Sequence, residues 1–161
     1  TIQYFPFSDF CGTDSFLFRA SDQYGHYADP VTQNIDMECI NDAPTIVNDS
    51  GSTNGPMVAV AVLDNDTDID NAYQSQTFSI VSFSQPLSGS VVQNGNDLEY
   101  TPIGSFSGAD IFTYRMQDQS GALSTNTGTV TIHVVLPNIA PVSYNMSLSV
   151  NEDAVLSDVL S

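Results

Sequence analysis

Asp64, Asp66, Asp68 and Asp70 occupy alternate positions of "LDNDTDID", residues 63–70. In an extended chain successive side chains point to opposite sides, so this spacing directs all four carboxylates the same way. At separations of about 4–7 Å each neighbouring pair repels by on the order of 1 kcal/mol or more. A hard cation removes that penalty, because calcium takes about six to eight oxygens at roughly 2.3–2.6 Å and one short peptide rarely supplies them all. A helix-loop-helix calcium loop is excluded: counting from Asp64, Ile69 stands where glycine is required and Ser75 where glutamate is required. An acidic run also has a plainer use, since Asp, Asn and Thr form loops readily and a charged loop keeps a surface soluble.

The rest of the chain favours a cation as partner. Nineteen acids face only Arg19 and Arg115, with no lysine, for a formal charge of −17. That field repels phosphate backbones and anionic headgroups, which argues against nucleic acid and membrane surfaces. The longest apolar run, "MVAVAVL" at 57–63, is about a third of a bilayer span, and no basic segment precedes an apolar one at the start. The expectation is neither a membrane segment nor a signal peptide. The hydrophobic content of 41% is enough for a packed core.

The elements that must position the acids are strands. Thr, Ser, Val, Ile, Tyr and Phe dominate, in short alternating runs broken by Gly, Pro, Asn and Asp. Clear examples are "TFSIVSF" at 77–83, "DIFTYRM" at 110–116 and "VTIHV" at 130–134, and a turn at "NGN", 94–96, joins "GSVVQ" to "DLEYTP". The runs repeat. "YFPFSDFCGTDSFLFRASDQYG" at 4–25 aligns with "YTPIGSFSGADIFTYRMQDQSG" at 100–121, pairing Tyr4 with Tyr100, Gly12 with Gly108, Asp14 with Asp110, Arg19 with Arg115 and Asp22 with Asp118. After one inserted residue, "INDAPTI" at 40–46 meets "PNIAPVS" at 137–143, and "STNGPMVAVAVL" at 52–63 meets "SVNEDAVLSDVL" at 149–160.

A period near 97 residues is the size of an immunoglobulin-like sandwich. The chain then divides into the last three strands of one module (E, F and G; 1–41), a complete module (42–138) and the first strands of a third (139–161). The opening residues read as the middle of a folding unit, so the chain is expected to be a piece of a longer one. Neither end piece covers its own apolar face, so the two could complete each other by strand exchange, within a chain or between chains.

With this repeat unit the chain resembles the cadherin-like bacterial immunoglobulin-type repeats found in tandem in large secreted adhesins and some extracellular polysaccharide-active proteins. The resemblance rests on "NDAP" at 41–44, "VLDNDTDID" at 62–70, "LEYTP" at 98–102, "FSGADIFTYRMQDQSG" at 106–121 with its partner at 10–25, and "VNEDAVLSDVL" at 150–160. It implies an all-β, immunoglobulin/cadherin-like β-sandwich in tandem modules, with calcium near module junctions and a role in adhesion or extended spacing. Two positions depart from the pattern: Ile139 replaces the linker acid Asp42, and Gly55-Pro56 stands where the third segment has Glu152-Asp153.

On a sandwich with strands A to G, the acidic loop follows strand B (57–63) at the end where the chain enters, beside the linker. Asp118, closing strand F, falls at that end, and Asp14 in the E-to-F loop of the preceding unit faces the same junction. Asp42, Asp64, Asp66, Asp68 and Asp118 are therefore the leading candidate calcium ligands, with Asn41, Asp14 and Asp70 beside them. At the second junction Asp110 keeps few partners, which predicts a looser hinge.

Cys11 precedes strand F and Cys39 ends strand G, and both are lost together in the second copy, as Ser107 and Leu136. Joint loss points to a disulfide and an oxidising, extracellular setting. Chemistry of catalysis is not visible. His133 alternates with Ile132 and Val134 and so faces away from them, His26 lies in a turn without a nucleophile, and "GSFSG" at 104–108 places Phe106 where a serine would be needed. Tyr24 and Tyr27, near a turn, are the one hint of glycan contact. The first expectation is a non-enzymatic, calcium-stiffened spacer or adhesion array of a large secreted or cell-surface adhesin, meeting surface glycans or proteins. The alternatives are an ancillary carbohydrate-binding or spacer segment of an extracellular polysaccharide-active enzyme, and a strand-exchanging fibre subunit.

Overall fold

The computed structural model describes residues 2–137 and 140–143, so the expected third-module strands, apart from 140–143, lie outside the described residues. The described chain is all-β. Its strands are β1 (Gly12–Phe18), β2 (Val31–Met37), β3 (Asp49–Thr53), β4 (Val58–Val60), β5 (Ser79–Phe83), β6 (Gly89–Asn94), β7 (Asp97–Pro102), β8 (Gly108–Gln117) and β9 (Gly128–Val134), with one turn of 3-10 helix at Ile69–Ala72. Two sheets form the sandwich expected of a cadherin-like module, in the orders β3-β9-β8-β5 and β4-β7-β6. β3 runs parallel to β9, and the remaining pairs are antiparallel.

Alternation sets what faces inward. Along β8, Asp110, Phe112, Tyr114 and Met116 are buried, and along β9 Gly128, Val130, Ile132 and Val134 are, leaving His133 outside. They meet Val60, Val91, Leu98 and Tyr100 of the facing sheet, closed at one end by Ile46, Val62 and Leu63. Two glycines make room for tyrosine rings. A Cβ on Gly89 would collide with the Tyr100 ring, and one on Gly128 with Tyr114 and Ile46. The β6–β7 hairpin turns at Gly95-Asn96, with Gly95 at φ 63°, the first central position where a two-residue II′ turn needs glycine.

β1 and β2 form a separate two-stranded sheet that reproduces β8 and β9 bond for bond. Thr13 pairs with Asp36 as Ala109 pairs with His133, and the inserted residue is absorbed between the strands. The turn after β1 is copied as well: Gly25 and Gly121 sit at φ 86° and 89°, and bridges Ser21 to Tyr27 and Gln117 to Leu123 follow. The three residues Tyr4 to Pro6, which align with β7, have no ladder partner. With no facing sheet among the described residues, the same positions stand open: Phe18 is 40% exposed where Tyr114 is 1% exposed.

Candidate metal centre

The entry linker is stitched to the acidic loop by backbone bonds. Thr45 and Thr67 exchange N–H to O bonds of 2.8 and 3.0 Å, and Thr125 N–H donates to the Pro44 carbonyl at 2.9 Å. This anchoring brings two linker groups onto carboxylates. Asn41 Nδ2 donates to Asp118 Oδ2 at 2.6 Å, and Asp42 N–H donates to Asp70 Oδ2 at 2.8 Å.

The acidic loop is not extended throughout, and that divides its aspartates. Asp64 N–H bonds back to Ala61 O and Asp66 N–H to Leu63 O, so the chain turns here and carries the Asp64 side chain outward. Strand β4 is correspondingly short, ending at Val60. Alternation resumes after the turn, and Asp66, Asp68 and Asp70 are buried while Thr67 and Ile69 are exposed.

Asp68 is the centre of the linker group. It caps the 3-10 helix, its Oδ1 accepting from Asp70 N–H at 2.9 Å. Its other oxygen, Oδ2, is buried without a hydrogen-bond partner. Burial raises the Asp68 pKa above 3.8 against the pull of the Asp70 N–H, and the carboxylates of Asp70, Asp118 and Asp42 raise it further. Asp118 behaves oppositely. Burial raises its pKa, but donation from Asn41 and from the N–H groups of Ala122, Ser120 and Gly121 outweighs burial and holds it below 3.8. Asp118 Oδ1 takes the Ser120 and Ala122 N–H groups at 2.9 and 2.8 Å, which folds the turn that delivers its Oδ2 to the linker.

Asp66 belongs to a second group around Tyr114, on which exposed Asp64 acts only through its charge on Asp49. The Tyr114 hydroxyl donates to Val62 O and lies 3.0 Å from Asp66 Oδ2 and 3.1 Å from Asp49 Oδ2, while Val47 N–H donates to Asp66 Oδ1 at 2.8 Å. Burial lifts Asp49 to about 6; donation from Tyr114 and Asn65 opposes the lift, and the Asp66 and Asp64 charges add to it. Burial and the two flanking carboxylates also raise Tyr114. This group ties β3, the acidic loop and β8 together.

Asp14 is held elsewhere. It lies in β1 and accepts from the Tyr4 hydroxyl at 2.6 Å and the Ser15 N–H at 2.7 Å. Its repeat partner is bonded alike: Asp110 accepts from Tyr100 at 3.0 Å and from Ile111 N–H at 3.0 Å, and also from Ser88 N–H at 2.8 Å. Both acids serve as anchors for a tyrosine of the neighbouring segment.

The structure thus gathers Asn41, Asp42, Asp68, Asp70 and Asp118, gives Asp14 and Asp66 other partners, and leaves Asp64 exposed. Among the described residues no three His, Cys, Asp or Glu side chains stand together at metal-binding separation. The carboxylates of the group nonetheless suit a hard cation in chemistry, with one buried oxygen unused, while Asn41 as placed presents its NH₂ group. Sequence reasoning missed Asp49 and Tyr114 as members of an acidic group. It also missed the Tyr100–Asp110 bond, although the constant spacing of Tyr and Asp in both copies carried the signal.

Cys11 and Cys39 form a disulfide with their Cα atoms 4.8 Å apart, and among the described residues no cysteine is free. No helix among the described residues is long and apolar enough to cross a membrane.

A family model described as "Bacterial cadherin-like domain" matches residues 41–135. "Protein GAMETE EXPRESSED 2" of Arabidopsis thaliana is 40% identical over 77 residues, covering 48% of this chain and 8% of that protein. Among solved structures the chain is similar to the endo-fucoidan hydrolase MfFcnA4 from glycoside hydrolase family 107, with 20% identity, a TM-score of 0.37, and coverage of 82% of this chain and 20% of that one. The endo-fucoidan hydrolase MfFcnA9 gives 14% identity and a TM-score of 0.33, covering 77% of this chain and 22% of that one.

Proposed function

The chain belongs to the bacterial cadherin-like domain family, and from that premise we propose that it is a non-enzymatic, calcium-binding segment of an extracellular adhesion or spacer array. The cation sits where the linker meets the acidic loop and stiffens the joint between the 1–41 unit and the module that follows. One observation carries this reading: a buried carboxylate oxygen, Asp68 Oδ2, has no partner, and its charged neighbours are all acids. Such an arrangement is costly unless a cation completes it.

Asp42, Asp68, Asp70 and Asp118 would hold the ion through carboxylate oxygens, joined by the Asn41 amide oxygen once that side chain turns. Calcium supplies the positive charge that these groups lack. The protein supplies position: the 3-10 helix sets Asp68 against Asp70, and the turn that follows strand β8 brings the carboxylate of Asp118. A disulfide agrees with an oxidising exterior, where calcium is plentiful enough to fill extracellular sites of about 10⁻⁴–10⁻³ M affinity.

Calorimetric titration of calcium into chelated protein tests the reading. The expected result is saturable binding, with stabilisation of about 2.7 kcal/mol at one hundred times the dissociation constant. Absence of both heat and any melting shift up to about 10 mM calcium overturns it.

A second reading, contact with glycans, is favoured by Tyr24 and Tyr27, which are 78% and 61% exposed, with Arg19 stacked 3.9 Å over the Tyr27 ring. Glycan affinity that survives chelation and is lost in Tyr24→Ala would favour it.

A further inference from the structure

Two groups of the 1–41 unit reach across to the following module, and each leaves the chain beside a half-cystine. Phe10, next to Cys11, sets its ring edge-on to Tyr73 with centroids 5.6 Å apart. Asn41, two positions after Cys39, donates to Asp118, and Asp42 donates to Asp70. A cleft of about 340 Å³ lies at this joint, lined by Phe10, Cys11 and Ile40 together with Asp42 and Asp70. The disulfide therefore borders the same space as the acidic group.

The cross-link lies outside the ladder that pairs β1 with β2. Their ladder runs from Gly12 opposite Met37 to Phe18 opposite Val31, entirely to one side of the cysteines. The second copy, with Ser107 and Leu136 at the equivalent positions, builds the same ladder from Gly108 opposite Val134 to Tyr114 opposite Gly128 without any cross-link. What distinguishes the first copy is that both arms of its joint start from the cross-linked residues.

We propose that the Cys11–Cys39 disulfide is a positioning element of the joint: it fastens the Phe10 arm to the Asn41 arm, so that both contacts engage together and hold the β1–β2 sheet in one orientation against the next module. A single contact leaves rotation about itself. Two contacts at a fixed separation remove it, because closing the second is then an intramolecular step at high effective concentration. The inference stands on the joint's geometry and does not require a bound cation.

The test uses the isotope-labelled full chain in chelator, with residual dipolar couplings measured on the amides of β1 and β2 and on those of β3, β8 and β9. The wild-type protein is expected to fit one alignment tensor. In the variant carrying Cys11→Ser and Cys39→Ser, the β1–β2 amides should stay dispersed while their couplings fall to less than about half, the mark of a sheet reorienting independently. A common tensor retained in that variant overturns the proposal. Collapse of the β1–β2 amide dispersion overturns it too, since the disulfide would then be an internal staple of the hairpin. Phe10→Ala, which keeps the cross-link, probes the coupling from the other arm: exchange of the Asn41 side-chain amide protons should quicken at least about threefold. Unchanged exchange shows that the arms are independent and refutes the proposal. Because every measurement is made without calcium, its failure is separate from a failure of the calcium reading.

Discussion

Asp68→Asn should stabilise the protein in chelator and weaken it in calcium. The Asp68 residue is 8% exposed, and its Oδ2 has no partner. A buried polar atom left unsatisfied costs about 1–3 kcal/mol, and here the nearby charges of Asp70, Asp118 and Asp42 add to the cost. Asparagine keeps an oxygen to accept from Asp70 N–H and replaces the charge that those carboxylates repel with a neutral NH₂ group. The chelated variant should therefore gain about 1–2 kcal/mol, a melting shift of about 5–10 °C for a module of this size. Calcium reverses the order. At one hundred times the dissociation constant the wild-type protein gains about 2.7 kcal/mol, most of which the variant forgoes, leaving it about 1 kcal/mol below wild type. With seven tyrosines and no tryptophan, near-ultraviolet circular dichroism of the tyrosines follows unfolding in both buffers. A variant less stable than wild type in chelator, or one ranked the same in both buffers, refutes the reasoning.

Tyr114→Phe removes the hydroxyl shared by Val62 O, Asp49 and Asp66 and should cost about 1–3 kcal/mol in urea unfolding, with or without calcium. Gly128→Ala drives a methyl into Tyr114 and Ile46 and should cost at least about 1–3 kcal/mol by the same assay. In chelator, stability should rise as pH falls from 7. Burial lifts Asp49 from 3.8 to about 6, so the folded state binds that proton more tightly than the unfolded state, and about 1–2 kcal/mol is gained by pH about 4.5 after allowing for solvent screening. Asp118, held below 3.8 by the hydrogen bonds that outweigh its burial, works the other way, so its contribution is lost on further acidification as pH falls through its folded value. Stability that is flat or falling between pH 7 and 5 contradicts this account.

Much of the architecture was legible because period-two alternation and a period near 97 residues are both properties of order along the chain. "DIFTYRM" and "VTIHV" became parts of β8 and β9, and the joint loss of Cys11 and Cys39 in the second copy pointed to the bond they form. The limits have one physical origin. Alternation fixes side-chain direction only while the backbone stays extended, and the bonds from Asp64 to Ala61 and from Asp66 to Leu63 bend it. Asp64 therefore left the set, while Asp66, beyond the turn, was captured by Tyr114. Asp49 carried no sequence signal, being one acid in "NDSGST", and only the burial of the Tyr114 hydroxyl gives it a role.

The repeated hydrogen bonds also show why acid count is a poor guide to cation affinity in this chain. Asp22 and Asp118 fold the same turn, each giving Oδ1 to the N–H groups two and four residues on, at 2.8 and 2.9 Å in one copy and 2.9 and 2.8 Å in the other. Their remaining oxygens diverge: Asp22 Oδ2 meets His26 Nδ1 at 2.9 Å, whereas Asp118 Oδ2 meets the linker's Asn41. Asp14 and Asp110 are likewise engaged by tyrosine hydroxyls and backbone donors. Carboxylates held this way are part of the scaffold, and drawing one to a metal would first cost the hydrogen bonds it makes. Among the described residues, Asp68 Oδ2 is the one buried carboxylate oxygen with no such bond to give up. The charge of −17 thus concentrates cations around the whole surface, and on the proposed reading a preference for one place on it would come from a single unpartnered oxygen and the linker beside it.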